Sequence, residues 1–184
     1  PLLRSLMPND EWRWRVFRYP YLREGLVPGV RETIRSHLLR RGYRIAEVTI
    51  DFGDWAWNDP FDRCLERGDT RALLALKQSY LKQAVAALRW SVATADDVLK
   101  RPIPHVMLLH VGAFDAVMLD ALLTRFEQEG VKFITLDEAL ADPIYSGDTR
   151  EAGGKLLEQL ITTQRLPHTA TMPFPEDLLD ALCR

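Results

Sequence analysis

Two hydrophobic periodicities alternate along the chain, and this alternation constrains its fold more than any other feature. Short runs rich in β-branched, aliphatic and aromatic residues have the length and composition of strands: "WRWRVFRYP", "YRIAEVTI", "HVMLLHV" and "VKFITL". Amphipathic stretches of helical period separate them, from Pro28 to Gly42, from about Thr70 to Ala95, and from Phe114 to Gly130. Strands alternating with helices predict an α/β fold built on a parallel sheet.

The apolar side chains of each amphipathic stretch predict which helix face is buried. The expected stripes are Val30, Ile34 and Leu38; then Leu74, Leu81, Val85, Leu88 and Val92; then Phe114, Met118, Leu122 and Phe126. "DEALAD" predicts a further short helix with Asp137 as its N-cap. Two short amphipathic helices, about 155–164 and 175–182, are expected to close the chain.

Composition limits the kinds of function the chain can have. Its 184 residues suffice for one compact core, and a net charge of −2 provides no basic surface for nucleic acid. No run of about eighteen apolar residues occurs, so no membrane span is expected. Cys64 and Cys183 lie far apart and outside any CxxC or Cys/His spacing, which indicates neither a disulfide framework nor a zinc site.

Polar residues cluster where the predicted strands end. Arg18 ends the first strand, Asp51 to Trp55 follow the second, and His110 ends the third. Each has an ordinary structural explanation: a salt bridge for Arg18, a turn for Asp51, a satisfied core histidine for His110. Because the carboxyl ends of parallel strands meet at one edge, the coincidence of three clusters favours a functional site.

Two of these residues suggest acid–base chemistry. An imidazole beside a carboxylate is a common general acid near neutral pH, and Asp54 is the candidate partner that would orient His110. Trp55 follows Asp54 directly and provides an aromatic face on which a flat ligand such as a sugar ring could stack. Packing in the core is the alternative for this tryptophan.

The motifs "RYPY", "DFGDW" and "LLH", in this order, resemble three of the five motifs of the polysaccharide deacetylases, carbohydrate esterase family four. "GVKFITLDEAL" is similar to the continuation that follows the family's last strand, and the resemblance extends roughly from Trp12 to Tyr145. It implies a distorted (β/α) barrel, of which residues 1–145 form only the C-terminal half. Residues 146–184 would be a helical extension packing on the same domain.

The resemblance also implies roles for individual residues. The family hydrolyses acetyl groups on sugar polymers with a divalent metal, usually zinc. Arg18 would orient a catalytic aspartate base, Asp54 would tune His110, and His110 would protonate the departing amine or hydroxyl, while Asp51 would support its loop. The substrate-binding positions would be the backbone amide of Tyr21, which stabilises the oxyanion, Trp55 as a groove wall, and Leu108 in the pocket for the acetate methyl group.

The family's first two motifs, which supply the base and the metal ligands, are absent from the residues given. The chain opens at Pro1 in what looks like the end of a helix, so we expect the metal half of the site in an upstream segment, which is its partner within the barrel. This fragment alone would be inactive, and it would fold stably only with that segment. The substrates of the family are acetylated glycans, and they imply that this protein is located outside the cytoplasm. The alternatives are a non-catalytic carbohydrate-binding barrel, with Trp55 and Trp57 stacking on sugar, and a purely structural α/β domain.

Overall fold

The computed structural model describes residues 5–7, 13–25, 27–151, 153–167 and 173–184. Helices dominate the described chain, and two short strands accompany them. The strands are β1 (Val16–Phe17) and β2 (Arg44–Ile45). The α-helices are α1 (Pro28–Arg40), α2 (Asn58–Glu66), α3 (Thr70–Leu99), α4 (Ala113–Gln128), α5 (Leu136–Ala139), α6 (Leu156–Gln164) and α7 (Glu176–Ala181). Single 3-10 turns occur at Arg13–Arg15, Pro20–Leu22, Asp54–Trp57 and Pro143–Ser146.

The strand pairing is parallel, as an α/β fold requires. Val16 is opposite Arg44 and Phe17 is opposite Ile45, and α1 connects the two strands. The amide of Ala46 extends the ladder by donating to the carbonyl oxygen of Phe17 at 2.8 Å. A strand, a crossover helix and a parallel strand form the unit from which α/β folds are built.

Two of the predicted strands are largely missing from the described residues. In "HVMLLHV" only Met107 pairs, through an isolated parallel bridge to Ile50, and "VKFITL" forms no ladder with any described residue. Phe133 and Ile134 are 43% and 44% exposed. A strand is stable only beside a partner, and β propensity cannot show whether the partner is present.

The N-cap of helix α5 lies two residues before the predicted one. Its N-cap is Thr135, whose hydroxyl accepts a hydrogen bond from the amide of Glu138, while the Glu138 carboxylate accepts from the amide of Thr135 at 2.7 Å. This reciprocal pair is a capping box, so the prediction of Asp137 as N-cap is wrong.

The described chain divides into two compact units, each with its own core. The first comprises Pro1–Thr49, Val98–Val106 and Ile134–His168, and the second comprises Ile50–Asp97, Met107–Phe133 and Thr169–Arg184. The small core of the first unit contains Ala46, Val106, Ala139, Leu140, Tyr145 and Leu156. The second has a larger core drawn mainly from the 3-10 turn after Gly53 and from α2, α3 and α4.

Helix α4 packs in the second unit as its sequence predicts, and α3 only in part. Phe114, Met118, Leu122 and Phe126 are all buried, which confirms the stripe on α4. On α3, Leu74 and Val92 are instead about half exposed. The buried face there runs through Ala72, Leu76, Tyr80 and Ala84, which repeat every fourth residue.

Aromatic rings and a disulfide hold the second unit together. Tyr80 makes edge-to-face contacts with Phe52, Trp57 and Phe114 at centroid distances of 5.0, 5.6 and 5.4 Å. Such pairs each contribute about 0.5–1.5 kcal/mol beyond their buried area. Cys64 in α2 is bonded to Cys183 beyond α7, across a sequence separation of 119. The spacing of the two cysteines in the sequence gives no indication of this bond.

In the first unit, α1 turns arginines and not its apolar stripe toward the interior. Val30 and Ile34 are 52% and 41% exposed, whereas Arg31 and Arg35 are buried. Burial of the guanidinium groups is possible because they meet three carboxylates, those of Glu24, Glu47 and Asp148. We call these five residues the ion cluster. Hydrophobic periodicity identifies the two faces of this helix but not which one is buried.

Candidate functional site

Two hydrogen bonds join Asp54 and His110 in the second unit. The Asp54 side chain is fully buried, and its Oδ2 accepts a hydrogen bond from the backbone amide of His110 at 2.6 Å. Its Oδ1 lies 2.8 Å from Nδ1 of the same histidine, whose side chain is 44% exposed. A carboxylate can only accept hydrogen bonds, so Nδ1 of His110 carries a proton. Nε2 is then the ring nitrogen that can exchange a proton with a ligand.

The motif "DFGDW" fixes the position of Asp54 through a tight turn. Gly53 adopts a left-handed conformation with φ of 73°, and its amide donates to the side chain of Asp51 at 2.9 Å. A Cβ at Gly53 would lie 2.9 Å from the ring of Phe174. A larger residue would therefore meet this ring, and it would also have to adopt a positive φ that side chains disfavour. Asp51 thus shapes the turn from which Asp54 projects.

A second buried carboxyl group, Asp115, lies behind Asp54. It is 7% exposed, and its Oδ1 accepts a hydrogen bond from the hydroxyl of Tyr80 at 2.8 Å. Burial raises the pKa of Asp115, and the neighbouring Asp54 raises it further. The sequence pattern singles out neither Asp115 nor Tyr80. An acidic residue in the first turn of a helix is ordinary, and Tyr80 lies within an amphipathic stretch.

Asn58 joins these groups to the start of α4. Its Oδ1 accepts from the amide of Phe114 at 3.0 Å, satisfying one of the amides that a helix N-terminus leaves without a partner. Its Nδ2 donates to the carbonyl oxygen of Trp55 at 3.1 Å and reaches Asp115 at 3.5 Å. A Cβ at Gly112 would approach the Asn58 amide to 2.4 Å, which explains the glycine.

The predicted substrate-binding residues of this unit differ in exposure. Trp55 is 59% exposed, and Val111, next to His110, is fully exposed. Leu108 is half-buried, and its amide donates to the carbonyl oxygen of Ile50 at 2.9 Å. Trp57 is completely buried and donates to the Ser79 hydroxyl, so the interpretation in which this ring stacks on sugar is wrong.

Arg18 and Tyr21 belong to the first unit. Arg18 donates from Nε to the carbonyl oxygen of Ala46 at 3.4 Å. Tyr21 and Leu22 have φ of 55° and 53°, a left-handed conformation that is rare and strained for residues other than glycine, and the Tyr21 side chain is 93% exposed. Strain of this kind concentrates at functional positions.

The remaining histidines differ from His110. Burial lowers the pKa of His105 to about 4, and its Nδ1 lies 3.2 Å from the hydroxyl of Thr49. His105 is therefore neutral at pH 7. His37 is exposed on α1, and His168 lies outside the described residues.

Within the described ranges, no group of three or more histidine, cysteine, aspartate or glutamate side chains could hold a metal ion. The described helices include none that combines the length and hydropathy needed to cross a bilayer. In comparisons with known proteins, no family model, no curated protein and no solved structure matches this chain.

Proposed function

We propose that the chain carries the acid-supplying half of a carbohydrate deacetylase, with His110 as the general acid. The observation that carries the proposal is the pair of hydrogen bonds from one residue, His110, to the fully buried carboxylate of Asp54. Two bonds fix both the backbone and the ring of this histidine. A general acid requires this combination of fixed orientation and solvent access.

The chemistry assigned to these residues is proton transfer to the leaving group. When the tetrahedral adduct of an acetylated amine or hydroxyl collapses, the bond from the acyl carbon to nitrogen or oxygen breaks. The departing atom takes the proton from Nε2 of His110, and Asp54 stabilises the imidazolium form through Nδ1–H. The released acetate keeps the oxygen of the attacking water, and a proton from water restores the acid.

The family resemblance implies a divalent metal, and the described residues do not fit one. Residues outside the described part of the chain would therefore hold this metal. We also propose the distorted barrel that the resemblance implies. In the same proposal Arg18 orients the catalytic base, and the amide of Tyr21 stabilises the oxyanion. The strained backbone at Tyr21 and Leu22 supports the last of these roles.

Two further features agree with a glycan substrate outside the cytoplasm. Trp55 is exposed beside Asp54 and offers an aromatic face for a sugar ring. The disulfide between Cys64 and Cys183 is typical of proteins in oxidising compartments. The exposed Trp55 also supports the second candidate, a carbohydrate-binding module without hydrolytic activity.

Acetate release from acetylated glycan oligosaccharides by the complete protein tests the proposal. We expect His110→Ala and Asp54→Asn each to lower turnover by about a hundredfold or more. His37→Ala, which changes an exposed histidine on α1, is the matched control and should retain activity. Near-normal turnover in both site variants would refute the assignment. Glycan binding without acetate release or bound metal would favour the binding module.

A further inference from the structure

Asp54 and Asp115 are two buried carboxyl groups in one cluster of polar side chains that also contains Tyr80, Asn58 and His110. Asp54 is close enough to raise the pKa of Asp115. Two ionised carboxylates in a buried site repel strongly, and such pairs hold one proton between them. Asp54 already accepts both N–H groups of His110, so the anion is better placed on Asp54 and the proton on Asp115.

The surroundings of Asp115 agree with a neutral acid. The groups that face it are the Tyr80 hydroxyl from α3, the Asn58 amide from α2 and Asp54, with His110 beyond Asp54. The described contacts of Asp115 include no arginine or lysine side chain. Tyr80 also stays protonated, since burial and the neighbouring Asp115 raise its pKa.

We propose that Asp115 is a positioning residue: as a protonated acid it donates to Asp54, and through Asp54 it fixes the imidazole of His110. The chain of hydrogen bonds runs from Tyr80 O–H to Asp115, from Asp115 O–H to Asp54, and from His110 Nδ1–H to Asp54. Its catalytic consequence rests on the proposed function, but the chain of bonds can be tested without any reaction.

An asparagine at position 115 should reproduce this arrangement. Its amide can donate to Asp54 while its carbonyl oxygen accepts from Tyr80, as a protonated carboxyl group does. Alanine can do neither, and it leaves two buried polar groups without partners. A side chain that merely filled the core would show no such preference for a donor facing Asp54.

Nuclear magnetic resonance of the complete protein tests the arrangement without any substrate. In the wild type we expect the carboxyl carbon of Asp115 to titrate above the ordinary aspartate range, and the His110 Nδ1–H proton to resonate far downfield. Asp115→Asn should keep that downfield resonance, and Asp115→Ala should lose it. An ordinary Asp115 titration, or equal loss of the resonance in both variants, would overturn the proposal.

Tyr80→Phe keeps the proposal testable should Asp115→Ala fail to fold. This variant removes the hydrogen bond that favours the anion of Asp115, so the titration of Asp115 should move upward; an unchanged titration would count against the chain of bonds. In the complete enzyme, Asp115→Ala should lower turnover by about tenfold to a hundredfold through a misplaced acid, and Asp115→Asn should retain most of it.

The wild type should also lose turnover as pH rises through the titration of Asp115, while Asp115→Asn should not. A protein that releases no acetate would fail the proposed function, yet the resonance experiments would still decide the role of Asp115. Conversely, active enzyme with an ordinary Asp115 titration would refute only the positioning role.

Discussion

The two units of the molecule bury charged groups in opposite ways. In the first, two arginines of α1 meet three carboxylates, so each buried charge of the ion cluster has a partner of opposite sign. In the second, Asp54 and Asp115 lie together, and the described residues bring them only Tyr80, Asn58 and the half-exposed His110. The first arrangement fixes α1 to these carboxylates, and burial raises the pKa of one of them, Glu24, to about 7. For the second arrangement we propose that Asp115 keeps its proton beside the anion of Asp54.

The units also differ in what stabilises them besides charge. The second has a large aromatic core and a disulfide, whereas the core of the first is small and depends more on its ions. A reductant should therefore act on the second unit, and removal of an ion partner should act on the first. Each of the following experiments perturbs one unit and leaves the other as the reference.

Loss of the disulfide has the largest expected effect. A bond that closes a loop of this separation, 119 residues, restricts the unfolded chain by about 4–5 kcal/mol. Urea denaturation with and without reductant should show this loss. The double variant Cys64→Ala/Cys183→Ala should be destabilised equally and should no longer respond to reductant. An unchanged unfolding midpoint after complete reduction would contradict the prediction.

Removal of one arginine from the ion cluster comes next. Arg35→Met leaves the buried Glu24 with one cation fewer, and breaking a buried pair in this way costs about 3–5 kcal/mol. Arg89→Met is the matched control, because Arg89 is 67% exposed in its pair with Glu129 and should contribute less than about 1 kcal/mol. Equal losses in the two variants would mean that burial does not distinguish them.

The smallest effect concerns Asp148 and depends on pH. Its hydrogen bond with Arg31 lowers the pKa of Asp148 to about 2, below the ordinary value of 3.8. The lowered value stabilises the fold above pH 3.8, and this contribution disappears as pH falls toward 2. Asp148→Asn should cost about 1 kcal/mol at pH 7, since the side chain is 40% exposed and solvent screens the pair. A cost that stays constant down to pH 2 would exclude this origin.

Local patterns in the sequence predict local structure well. The four-residue repeat from Phe114 to Phe126 identifies both the helix and its buried face, because every position of that stripe is large and apolar. Helix α1 differs, since its arginines find carboxylates that are distant in the chain, Asp148 among them. Burial of a charge depends on such partners, and periodicity contains no information about them.

In the candidate site, too, the sequence predicts some residues and not others. The order of polar clusters at strand ends directs attention to Asp54 and His110, which the structure brings together. The sequence does not predict that Asp115 and Tyr80 belong to this site, because they are 35 residues apart and each fits an ordinary helical pattern. The predicted strand at 131–136 forms no ladder among the described residues, since pairing depends on a partner and not on composition.

The bond between Cys64 and Cys183 converts most of the chain into a covalent ring. Tyr80, His110 and Asp115 lie on this ring, whereas Asp54 and Arg18 lie on the arm that precedes it. A single tryptic cut after the exposed Arg150 would therefore open the ring without releasing a fragment. In an oxidising environment the nicked molecule stays one covalent unit, heavier by one water, and keeps its acid residues. In a reducing one the same cut separates the chain into two pieces.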